Sequence, residues 1–166
     1  IVIAGREALL ARLASVAKKL EGTAFAFSEH NDHVEAVCPW GNRVRCYEPD
    51  AARFGRITLG IPYVEFDVPV GTAKGICAFY PQIMRMPAEY LNADGAMARV
   101  KVGKDQYLQF RETDRQQPDY DGHQVQIYIT DFSGPYHRLR ERGLVSQEDN
   151  QYQYRFEQIT DLETGK

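Results

Sequence analysis

Two short stretches of this chain alternate apolar and polar residues without interruption. In Tyr63–Val68 the apolar set is Val64, Phe66 and Val68, and the other set is Tyr63, Glu65 and Asp67. In Gln124–Ile129 the apolar set is Val125, Ile127 and Ile129, against Gln124, Gln126 and Tyr128. Successive side chains of a strand point to opposite faces, so each stretch predicts a strand with one apolar and one polar face. Each is followed by a helical stripe. After the first, Ile76, Phe79, Tyr80, Ile83 and Met84 predict a helix over 72–84, with Thr72 as cap and Pro81 as a kink or early stop. After the second, a helix over 133–142 has Asp131 or Ser133 to cap it, Pro135 in its first turn and Gly143 at its stop.

The same theme recurs elsewhere. Leu9, Leu10, Leu13, Val16 and Leu20 form a helical stripe over 6–20, preceded by a short strand at 1–4. Strands are expected at 23–27, 34–38 and 43–47. Ala98, Val100 and Val102 oppose Arg99 and Lys101. Leu108 and Phe110 oppose Tyr107, Gln109 and Arg111, with a hairpin turn at Gly103-Lys104-Asp105. The expected fold class is α+β, with helices on one face of a mixed, mostly antiparallel sheet. The stretches 49–55 and 114–122 read as linkers. The polar face left by the alternation suggests a concavity filled by water or ligand.

The totals exclude some classes. A net charge of -3 lacks the basic excess that phosphate contacts need, so no nucleic-acid partner is expected. No apolar run approaches the roughly 20 residues that span a bilayer, and no signal peptide is visible, so no membrane partner is expected. Cys38, Cys46 and Cys77 fit neither a zinc pattern nor a disulfide framework, which points to a reducing, cytoplasmic location. The absence of an initial methionine and the turn-like end at Lys166 read as a fragment.

A resemblance follows from several motifs. Cys38-Pro39-Trp40-Gly41-Asn42, followed by a strand to Glu48, resembles the final hairpin of a glyoxalase-type module. Phe79-Tyr80 with Pro87 downstream is similar to the end of that family's helix. Leu139–Leu144 is similar to its second crossover helix, and Asp161–Gly165 resembles the turn at Gly41. The family is the vicinal-oxygen-chelate (glyoxalase, bleomycin-resistance, dioxygenase) superfamily. The resemblance implies repeated βαβββ modules forming a cupped sheet with helices on the outer face. Residues 1–55 then match one module, and 56–166 a nearly complete two-module domain lacking its last strand. The metal-ligand positions of the family fall on Tyr63, Gln124, Gln109 and Arg45. That set suits no divalent cation, since hard ions want carboxylates and transition metals want imidazole or thiolate. No cofactor is therefore expected, unless segments outside this sequence supply ligands.

Candidate site residues come from the polar face. Glu65 is a candidate general base, and Tyr63 a candidate donor to a carbonyl or oxyanion. Arg99 and Arg111 could hold an anion, with Gln109, Gln124, Tyr107 and Tyr128 completing the ligand contacts. Tyr63, Gln109 and Gln124 should converge at the floor of the cup. The same residues also fit a solvated, mutually paired sheet face. His123 should alternate onto the helix side, while His30, Asp32 and His33 read as a surface turn, His137 as exposed and Trp40 as partly buried against its hairpin. The expected function is metal-independent binding of a small organic ligand, anionic ones included, or acid–base chemistry on it. The alternatives are a metal-dependent lyase, isomerase or dioxygenase of the superfamily, and a non-catalytic dimerisation or interaction module. A homodimer is among the expected assemblies.

Overall fold

The leucine stripe near the start forms helix α1, Arg6–Ala17, extended by a 3-10 turn over Lys18–Leu20. Three strands follow: β1 (Ala26–Glu29), β2 (His33–Val37) and β3 (Arg43–Tyr47). They pair antiparallel in the order β1-β2-β3. The expected strand at 1–4 is reduced to bridges of Val2, parallel to Tyr47 and antiparallel to Gly60. The computed structural model describes residues 1–120 and 122–165. They divide into two compact units, Ile1–Tyr63 and a second beginning at Val64. Both combine helices with sheet, so the α+β class stands. No helix among the described residues is long and apolar enough to cross a membrane.

The first unit is held by a small cluster of Val2, Tyr47 and Phe54, with Ile57 and Tyr63 packed against it. Phe54 lies on α2 (Ala51–Phe54), inside the stretch read as a linker. Asp50 caps it: the carboxylate accepts the N–H groups of Ala52 (2.9 Å) and Arg53 (3.3 Å). Trp40 is also a correction. It sits in the turn before β3, where Gly41 takes φ 93°, and it is 87% exposed rather than packed on its hairpin. Helix α1 has no buried residue.

Strand β4 (Tyr63–Pro69) leads from the last residue of the first unit into the second, and α3 (Ala73–Phe79) follows. Pro81 ends the regular helix as expected, and the chain continues as a π-helical turn, Tyr80–Met84. Thr72 does not cap α3; its hydroxyl donates to the Pro69 carbonyl instead (2.7 Å). Glu112 takes that role from another strand, accepting the Ala73 N–H at 2.8 Å. Then come β5 (Ala88–Leu91), β6 (Met97–Gly103) and β7 (Gln106–Thr113), in the sheet order β4-β7-β6-β5. Strand β5 went unread because only Ala88 of its four residues turns an apolar side chain to the core.

Alternation places the faces as expected. Val64, Phe66 and Val68 join Ala98, Val100, Leu108 and Phe110 in a core with Ile76, Phe79 and Ile83. Helix α4 (Ser133–Glu141) adds Leu139, and the Asp131 carboxylate accepts the Gly134 N–H at its start (3.0 Å). The Gln124–Ile129 stretch departs from expectation. Ile127 and Ile129 pack against the core, yet the stretch is not part of any strand. Its backbone makes no hydrogen bond to a neighbouring strand among the described residues. A hairpin of β8 (Gln147–Asn150) and β9 (Gln153–Arg155) follows α4.

Candidate functional site: an arginine face on the second sheet

The polar face of the second sheet is set by strand register. Arg99 stands opposite Gln109, Lys101 opposite Tyr107, and Met97 opposite Arg111. Directly opposed residues of an antiparallel pair share a face, so two arginines flank Gln109. Arg111 donates through Nη2 to Glu65 Oε2 at 3.1 Å, and through Nη1 to the Asp94 carbonyl at 3.1 Å. Arg99 stacks its guanidinium 3.8 Å from the centre of the Tyr107 ring and approaches Glu89 at 3.5 Å. Its Nε is buried and has no acceptor among the described residues. Further along the face, Arg115 pairs with Asp67 at 2.7 Å.

This pairing bears on each candidate role. Glu65 accepts from Arg111, so one of its oxygens is already engaged by a guanidinium. Tyr63 packs with Val2, Tyr47 and Phe54 in the core of the first unit. Arg99, Arg111, Gln109 and Tyr107 do share one face. Gln124 and Tyr128 lie elsewhere. They line a cavity of about 460 Å³ together with Phe66, Leu108 and Phe110, which point to the opposite side of the sheet from Gln109. Tyr128 is 88% exposed. Of the residues expected to converge, Gln109 and Gln124 therefore do not meet, because Gln124–Ile129 is not seated in the sheet that carries Gln109.

His123 falls on the apolar side, as alternation implied, with its ring 6.1 Å from Phe66 and 5.3 Å from Tyr120. The aromatic cavity itself was not anticipated. Its signal was present in the apolar set of each alternating strand, but the vacancy beside it depends on which strands pair.

A second polar cluster sits on the first unit, at the turn between β1 and β2. The His30 and His33 rings stack 4.5 Å apart, and His33 Nδ1 meets Asp32 at 2.7 Å. Arg53 donates to Asp32 at 2.8 Å and lies over the Tyr47 ring at 4.1 Å. The Arg53 hydrogen bond, aided by His33, holds the Asp32 carboxyl well below the usual carboxylate range. Arg6 ties α1 to the same turn through Glu29 at 3.0 Å and the His30 carbonyl. The turn is a surface feature whose acidic oxygens are already engaged.

The four positions that the resemblance assigns to metal ligands do not fit a divalent ion. Arg45 pairs with Glu35 at 3.3 Å, Tyr63 packs in a hydrophobic cluster, and Gln109 and Gln124 face different spaces. Among the described residues, no group of three or more His, Cys, Asp or Glu gathers in a metal-binding arrangement. Neither a protein-family model nor a curated protein sequence matches this chain.

Proposed function

We propose that the arginine face of the second unit binds a small organic anion, by contact and charge rather than through a metal. The observation that carries this reading is Arg99 directly across from Gln109 with Arg111 two residues along the same face, and one arginine donor that has no acceptor among the described residues. A guanidinium offers a planar donor fork that matches a carboxylate, and Gln109 adds a neutral donor and acceptor between the two. Glu65 acts as the internal counter-ion of Arg111, standing where a ligand carboxylate would compete. The reading is binding without turnover, since Glu65 is engaged and Tyr63 packs in the first unit's cluster.

We propose further that the chain is built from βαβββ modules of the vicinal-oxygen-chelate kind. Support comes from strand order: Val2 bridges to β3, which neighbours β2 and then β1, and β4 neighbours β7, then β6 and β5. A second reading, dimerisation through the first unit, draws on the unburied apolar stripe of α1. Light scattering that finds only monomers at high concentration removes it.

Thermal-shift titration against mono- and dicarboxylates tests the main reading, because a ligand of the native state raises the melting temperature. Arg111→Gln should weaken the response. Glu65→Gln should strengthen it by about 3- to 10-fold in affinity, by removing the internal competitor. A panel without any response, or a Glu65→Gln variant that binds more weakly, contradicts the proposal.

A further inference from the structure

The two arginines of the polar face are each held by contacts of their own. Arg111 donates to the Glu65 carboxylate and the Asp94 carbonyl, both at 3.1 Å, and its Nη2 lies 3.5 Å from Met97 Sδ. Arg99 sits over the Tyr107 ring, 3.8 Å from its centre, with Glu89 Oε1 3.5 Å from its Nη1. Both guanidinium groups are therefore positioned before any ligand arrives. Their side chains nonetheless stay open to solvent, 31% exposed for Arg99 and 32% for Arg111. The Tyr107 ring covers one side of the Arg99 guanidinium, so a ligand meets its N–H groups, the donors that a carboxylate matches.

Strand register sets how far apart these groups stand. Arg99 on β6 is directly opposite Gln109, and Arg111 lies two residues beyond Gln109 on β7. Diagonal neighbours of this kind share one face at a spacing of about 7–8 Å. Two cations so placed repel each other. The fold sets one carboxylate beside each: Glu89, opposite Arg99 on β5, and Glu65 from β4. Ion pairs this open to water add little to stability, so another anion can replace the internal one at small cost.

We infer that the arginine face takes a linear dicarboxylate, with one carboxylate on Arg99 and the other on Arg111, and Gln109 next to both. This rests on the anion-binding reading above and adds to it the number of charged ends and the length between them. Once one end is held, the second binds as an intramolecular event, so a two-headed acid binds tighter than a single-headed one without any new kind of contact. Length decides which dicarboxylates benefit. The carboxyl carbons of malonate are two bonds of about 1.5 Å apart, and those of adipate are five such bonds apart. Adipate approaches the spacing of the two arginines. Malonate carries the same charge and falls far short of it.

NMR titration of the arginine Nε–H signals of the 166-residue chain, at fixed ionic strength, reads the two ends separately. The probes are adipate, hexanoate and malonate. Hexanoate keeps the length of adipate with one carboxylate, and malonate keeps its charge without the length. Adipate should shift the Arg99 and Arg111 signals together, with one Kd about tenfold or more below that of hexanoate or malonate. In Arg99→Gln and in Arg111→Gln, adipate should bind no tighter than hexanoate does to the same variant. Equal Kd values for adipate and malonate reduce the site to charge, and equal values for adipate and hexanoate reduce it to a single carboxylate. Either result overturns the two-headed ligand and leaves anion binding standing, whereas no shift with any of the three overturns both. The series on the unaltered chain decides this whether or not the variants fold.

Discussion

The two alternating stretches of the second unit meet opposite fates. Val64, Phe66 and Val68 belong to β4, hydrogen-bonded to β7 in a four-stranded sheet. Val125, Ile127 and Ile129 show the same pattern, and two of them reach the same core, yet no strand forms there. Phe110 on β7 is 5% exposed and packs its ring 5.5 Å from Phe66 and 5.7 Å from Tyr80. Beside Gln124–Ile129 the equivalent place is a cavity. Alternation fixes which side chains face the core. Pairing requires a neighbour, and the energetic weight of a strand comes from that neighbour.

Mutations can press on this contrast. Phe110→Ala should cost about 3–5 kcal/mol, the range for emptying a large aromatic site in a packed core. Ile129→Ala, at a half-buried position beside the cavity, should cost only about 1 kcal/mol. Urea unfolding measures both, and equal losses would break the comparison. Proline sharpens it at the backbone. Gln109→Pro removes a donor from a central strand and should cost about 3 kcal/mol or more, while Gln126→Pro in the free protein should stay within about 0.5 kcal/mol.

Smaller effects probe the helix that joins β4 to β5. Arg85 closes the π-helical turn at φ 58°, a left-handed conformation that suits glycine. Arg85→Gly should stabilise by about 0.5–1 kcal/mol in thermal unfolding. The N–H groups of Gly71 and Ala73 hold the Glu112 carboxyl below its ordinary range. Its contribution is therefore complete above that range and is lost as pH falls through the lowered folded value. Glu112→Gln should flatten the acid side of the stability profile and leave the neutral side nearly parallel. An unchanged acid limb would remove Glu112 from the start of α3.

Much of this was legible in the residues. The helical stripe ending at Pro81, the inward set Val64-Phe66-Val68 and the hairpin at Gly103–Asp105 all follow from periodicity and turn chemistry. So does the sharing of one face by Arg99, Gln109 and Arg111, once β6 and β7 are read as a hairpin. Strands β8 and β9 were not legible, because Gln147–Asn150 is wholly polar and exposed and carries no apolar alternation. The Glu112 bond to Ala73 joins residues 39 apart in sequence, which no local pattern reveals. Glu65 was readable as a carboxylate on the polar face but not as the partner of Arg111, since 46 residues separate them.

Residue-resolved hydrogen exchange on the free chain tests the central claim most directly. Amides of β6 and β7 should be the slowest in the second unit, and those of 124–129 should exchange near the rate of open loops despite the inward-facing Ile127 and Ile129. Protection of 124–129 comparable to that of β7 would contradict the account, since it would require a backbone partner where the structure has a cavity.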